Sequence, residues 1–177
     1  MCHFLYLASP LTLSEVRSML PQGLAADFLP PADARRIRTI TPGSQTTARL
    51  LVGACSCDLF LQRDPEHRRE ESVLRQRYRT MHLDRTTTIH ALDRHRRGEH
   101  PPRDVEAWQT ALAAFVSEHA RNAGDTGFYR EFSPRSLEGR GLGLAPVQVT
   151  VRTVIREPGS WLDEERPALV VRAQTAR

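Results

Sequence analysis

The chain predicts an α+β fold: a single two-layer domain over residues 1–177, with an antiparallel or mixed sheet of about five strands and helices on one face. Three observations lead there. Apolar residues recur at helical spacing in the middle of the chain, at Leu74, Tyr78 and Met81 and most clearly at Trp108, Ala111, Leu112, Phe115 and Val116. Short apolar or alternating runs flank that region: His3 to Ala8, Ala48 to Phe60, and Val147, Val149 and Val151. The 177 residues, 40% hydrophobic and 26% charged, suffice for one core that hides roughly two-thirds of the unfolded surface.

Taken in order, His3 to Ala8 is apolar enough for a buried strand. Thr12 and Glu15 form a capping box that starts a helix, Leu11 can staple against Val16, and Pro21 with Gly23 stops it. Leu24 to Pro31 reads as a loop with an apolar knot at Phe28-Leu29. Arg36 to Ile40 has strand character, and Thr41-Pro42-Gly43-Ser44 turns it into the central strand, making a hairpin. The middle is helical, with Asp84 as an N-cap, Ile89 and Leu92 on an apolar stripe, and Gly98 as the stop. Asp104 caps the helix that carries Trp108 and Phe115, and Asn122-Ala123-Gly124 ends it. Tyr129 to Ala145 reads as irregular. Val147 to Val151 alternates as a half-buried strand, and after Pro158-Gly159 the segment Ala168 to Arg172 returns as its partner.

Composition excludes several classes. No apolar run approaches the ~20 residues of a membrane-spanning helix, and no basic segment precedes Phe4-Leu5-Tyr6-Leu7, so the expected compartment is the cytoplasm. Three cysteines do not make a disulfide framework. All 25 basic residues are arginine, giving a net charge of +4. Guanidinium forks suit nucleic acid or another anionic partner, so a non-enzymatic binding module using arginine-rich helix faces is one functional expectation. The same swap of lysine for arginine also fits a GC-rich coding sequence, and the arginines are interspersed with acids, as in Glu66-His67-Arg68-Arg69-Glu70-Glu71.

The chemistry to be sought lies at Cys2, His3, Cys55, Cys57 and Asp58. On an extended strand Cys55 and Cys57 emerge on one face ~7 Å apart. If the first strand pairs with this one, its end brings Cys2 or His3 near, and only one of the two neighbours can share the face. Cys2, His3, Cys55 and Cys57 are then candidate zinc ligands, although a lone C-x-C lacks the second pair that zinc knuckles use. Alternatively Cys55 or Cys57 is a nucleophile or redox thiol oriented by Asp58 or a histidine. Small apolar residues filling a strand are the third reading. No cofactor-binding motif stands out. His82, His90, His95 and His100 are spaced at eight, five and five, never four apart, and Gly139-Arg140-Gly141-Leu142-Gly143 lies between a loop and a strand, where no phosphate cradle forms.

The opening Phe4-Leu5-Tyr6-Leu7-Ala8-Ser9-Pro10-Leu11, followed later by Gly53-Ala54-Cys55-Ser56-Cys57, resembles a group of small bacterial proteins of unknown function. They begin with a similar strand and carry a cysteine-rich turn after a glycine. The resemblance implies a bacterial cytosolic protein and brings no activity. Met1-Cys2 also resembles the start of N-terminal nucleophile amidotransferases, which continue with glycine where this chain has His3.

Overall fold

The structure, a computed structural model, describes residues 2–53, 55–60, 75–76, 79, 85–96, 105–133, 145–162 and 166–171. The chain groups into two compact units, residues 1–61 with 104–177 and residues 62–103. The first holds a six-stranded mixed sheet in the order β2-β3-β1-β4-β6-β5, an α+β architecture. Its strands are β1 (Cys2–Ser9), β2 (Leu24–Phe28), β3 (Thr46–Val52), β4 (Thr126–Ser133), β5 (Val147–Thr150) and β6 (Pro167–Val171). All neighbours are antiparallel except β5 and β6. Around the sheet lie α1 (Leu13–Met19), α2 (Pro31–Arg38), α4 (Val105–Ala123) and α5 (Val151–Arg156). The second unit contributes α3 (Arg85–Arg96), which buries Leu92 and leaves Ile89 half-exposed. The expected helical positions Leu74, Tyr78 and Met81, the cap Asp84 and the loop at 139–143 lie outside the described residues. Among the described residues, no helix is long and apolar enough to cross a membrane.

Alternation along β1 divides the interior. Leu5 and Leu7 point to a face covered by α1, α4 and α5, where Val16, Trp108, Leu112, Phe115, Val116 and Val154 pack on Leu50 and Phe128. Phe128 meets Trp161 edge to face at 5.2 Å. Tyr6 and Ala8 point the other way, onto Ile37 and Ile40 of the α2 region and onto Tyr129. Helices therefore cover both faces of the sheet, α2 on the side left bare by the sequence expectation.

The capping box forms as read. Glu15 N–H donates to Thr12 Oγ1 at 3.3 Å, and the Glu15 carboxylate accepts from Thr12 N–H at 2.8 Å. The helix carrying Trp108 and Phe115 also stands, ending at Ala123 before Gly124 with φ 85°. Elsewhere the local readings are corrected. Leu24 to Phe28 is a strand because Leu24 and Ala26 are buried alternately with exposed Ala25 and Asp27, a period obscured by the small alanines. Arg36 to Ile40 is no strand: Pro31 sits at the first helical position with its φ already set, and Ile37 and Ile40 are three apart on one buried face. The segment read as irregular from Tyr129 instead begins inside β4, in the middle of the sheet. Gly127 and the Arg130-Glu131 pair hide its apolar pattern, and a Cβ at Gly127 would meet Ile40 Cγ2 at 2.7 Å. Val151 opens a helix because the Thr150 hydroxyl accepts from Thr153 N–H at 3.2 Å. That helix crosses over and makes β6 a parallel neighbour of β5 instead of a hairpin partner.

Candidate functional site

The C-x-C segment is built at the end of β3. The apolar run read as one strand from Ala48 to Phe60 stops at Val52, because Gly53 adopts φ 69° and reverses the chain. Val52 N–H donates to Cys55 C=O at 2.9 Å across this tight reversal. Ser56 follows at φ −93° and ψ 10°, and Cys57–Leu59 forms one turn of 3₁₀-helix. A Cβ on residue 53 would meet nothing within 4 Å, so the glycine is required by its dihedral alone. Gly53→Ala is therefore expected to cost about 1 kcal/mol in chemical denaturation, and Gly53→Asn less, since asparagine tolerates the left-handed region.

Ser56 fixes this segment against the sheet. Its hydroxyl accepts from Leu5 N–H at 2.8 Å and donates to Leu50 C=O, standing between two residues that are register partners on β1 and β3. Its N–H donates to His3 C=O at 3.0 Å. Residues 55–57 thereby take the place of β3 beside the first residues of β1. The expected pairing of the first strand with the central one is present, and its consequence for the cysteines follows: His3 N–H donates to Cys57 Sγ at 3.3 Å.

Cys55 and Cys57 are both buried, at 5% and 2% exposure. They do not emerge from an extended strand, since Ser56 bends the backbone between them. His3 shares the face of Leu5 and Leu7. Its ring lies 6.0 Å from that of Phe60, and its Nδ1 is 3.5 Å from Arg130 Nη2. A guanidinium has only donors, so Nδ1 is the acceptor. Arg130, across from Leu5 on β4, stacks at 4.2 Å over Phe60 and reaches Leu162 C=O at 3.4 Å. Asp58 follows Cys57 in the 3₁₀ turn, half-buried. Cys2 starts β1 opposite Ser133, and its side chain lies outside the described residues. Of the sequence candidates, the fold thus assembles His3, Cys55, Cys57 and Asp58 around one corner. Among the described residues, no three His, Cys, Asp or Glu side chains converge as a metal-ligand set; the side chain of Cys2, a candidate ligand, lies outside them.

Two buried polar groups had no signal in the sequence. His119 is enclosed between Ser9 Oγ, 2.8 Å from Nε2, and Thr126 Oγ1, 2.9 Å from Nδ1. The Thr126 hydroxyl donates to Gly124 C=O, so it accepts from Nδ1–H, leaving Nε2 to accept from Ser9. Burial alone lowers the His119 pKa to about 4. A serine on a histidine resembles a nucleophile with its base, but Ser9 and His119 are fully buried, and a threonine orients the ring. The trio is a clamp joining the ends of β1, α4 and the start of β4. On the other face, burial and then the nearby carboxylate of fully buried Glu131 push the Tyr6 phenol far above its ordinary range. Ser9 and His119, and likewise Tyr6 and Glu131, are more than a hundred positions apart, beyond the reach of any local motif.

The fold and the corner together define a mixed-sheet α+β protein with a dithiol segment stitched to its central strand. No protein-family model, curated protein or solved structure matches this chain.

Proposed function

We propose that this is a thiol-centred protein whose functional group is Cys57, acting as a nucleophile or redox thiol and not as one ligand of a closed metal site. The observation that carries this reading is the backbone N–H of His3 directed at Cys57 Sγ. A hydrogen bond to sulfur favours its charged form, and the thiolate is the species that attacks electrophiles. Half-buried Asp58 and Phe60 and exposed Gly53 flank the segment, so modest local opening admits a small reagent.

Elemental analysis of the unchelated protein beside a native-state thiol titration tests the reading. The expected result is one fast thiol, lost in Cys57→Ser and kept in Cys55→Ser, with no dependence on chelator. Thiols that react only after chelation would replace it with a metal site, and thiols silent until denaturation would leave the cysteines as core residues.

The alternative is an arginine-lined binding surface; the arginine-rich stretch at residues 66–71 and the side chains of residues 94–97 lie outside the described residues, which leaves the arginines of the helices on the sheet. Exposed Arg35 and Arg38 belong to α2 on one side of the sheet, and exposed Arg152 and Arg156 to α5 on the other. These pairs do not add to one cationic face for an extended anionic partner.

A further inference from the structure

We infer that the outer edge of β2 is a strand-pairing surface for a second copy of this chain, and that Arg17 is the latch that keeps it shut. Among the described residues β2 ends the sheet, with β3 on its paired side. In an antiparallel ladder every second residue of an edge strand turns its N–H and C=O away from its neighbour. Three hydrogen bonds fix which residues these are. Leu50 C=O accepts from Ser56 on the β1 side of β3, Val52 N–H donates to Cys55 C=O, and Leu24 N–H donates to Pro21 C=O at 3.0 Å. Leu50 is the register partner of Ala26, and Val52 of Leu24. Leu24, Ala26 and Phe28 therefore direct their peptide groups outward, while Ala25 and Asp27 face β3.

The outward carbonyl of Ala26 is taken by a side chain. Arg17, exposed in the last turn of α1, donates to it from Nε at 3.1 Å and from Nη2 at 2.8 Å. The same guanidinium lies 5.9 Å from the centre of the Phe28 ring. It stands where the N–H of a further strand would stand. Phe28 is 72% exposed, the most of any large apolar side chain among the described residues. One arginine thus blocks the hydrogen-bonding row and lies over its apolar side chain.

The occupant follows from the strand itself, Leu24-Ala25-Ala26-Asp27-Phe28. A two-fold axis at Ala26 sets Ala26 against the partner's Ala26 and exposed Phe28 against the partner's Leu24, an apolar cross-strand pair. Asp27 then falls opposite the partner's Ala25, so the one charge of the strand meets no like charge. Moving Ala26 opposite the partner's Phe28 would instead set Asp27 against the partner's Asp27, which fixes the register. The central pair of bonds uses both Ala26 carbonyls, so pairing requires both latches to open.

Sedimentation velocity of the full chain over a range of concentrations tests this. The unsubstituted chain is expected to run as a monomer, and Arg17→Ala to approach twice the monomer mass as concentration rises, with an unchanged far-ultraviolet spectrum. Arg17→Met, which keeps an apolar stem and loses the donors, is expected to do the same. Adding Ala26→Pro, which removes the central N–H, or Phe28→Lys, which places a charge on the edge without touching the core, should each restore the monomer. Folded Arg17 variants that stay monomeric overturn the proposal, as does a dimer that survives both second substitutions. Growth beyond the dimer also overturns it, because two-fold pairing uses up the edge, and so does an unsubstituted chain that dimerises as readily as Arg17→Ala.

Discussion

Ser56→Ala is expected to lower stability by about 2 to 4 kcal/mol, because one hydroxyl satisfies two buried backbone groups at once. Leu5 N–H and Leu50 C=O are register partners on the central strands, yet both are bonded to the Ser56 hydroxyl, and Ser56, Leu5 and Leu50 are fully buried. Removing the oxygen leaves a donor and an acceptor in an apolar surround, each costing ~1 to 3 kcal/mol unless the strands close to pair them directly. Such closure would displace residues 55–57 from their place beside β1. The variant is therefore expected to shift the denaturation midpoint without changing its slope, and to change the alkylation rate of Cys57 as well. Ser56→Thr keeps the oxygen and separates hydroxyl loss from any change in side-chain volume. A Ser56→Ala protein as stable as the wild type, with unchanged thiol reactivity, would show that the hydroxyl does not hold the corner.

The second large effect is a pH dependence of stability set by His119. Its pKa is about 4 in the folded chain, against ~6.5 for an unfolded histidine. Between these values the unfolded state binds the extra proton, so unfolding is favoured as pH falls. The neutral clamp is fully stable above pH ~6.5, weakens as pH falls to about 4, and loses no more below that; the full span is on the order of 3 kcal/mol. The cause is visible in the contacts. Ser9 donates to Nε2, and a proton there would oppose that donor inside a site with no solvent access. His119→Gln cannot gain the proton, so the wild-type minus variant difference in unfolding free energy is expected to slope between pH 4 and 6.5 and to be flat above pH 7. A difference that is flat throughout would mean that His119 titrates normally in the fold.

Elements whose local chemistry is self-sufficient were legible in the sequence. The capping box of Thr12 and Glu15 forms because both partners lie within one turn, and α4 forms because five apolar side chains share one face over nineteen residues. Misread elements depend on partners far away in the chain. Leu24 to Phe28 becomes a strand because β3 pairs along its whole length. β4 carries Glu131 at zero exposure, against the pattern expected of any strand interior, because the second face holds Arg49 and Tyr6 close by. Val147 to Val151 alternates for strand and helix alike, and only the Thr150 cap decides where one ends. At the site, Cys55, Cys57 and His3 could be named from their types and from the pairing of two strands. The bend at Ser56 and the approach of Arg130 could not, since the first depends on a hydroxyl inserted between β1 and β3 and the second on the position of β4. Ser9 and His119, 110 residues apart, are brought together only by the completed fold.

The most direct measurement is the native-state alkylation rate of each cysteine, resolved by peptide mapping, as a function of pH. A functional Cys57 is predicted to react faster than Cys55 in the native state. Rates for the two cysteines that coincide across the whole range, and that match the rate of global unfolding, would contradict a thiol-centred function.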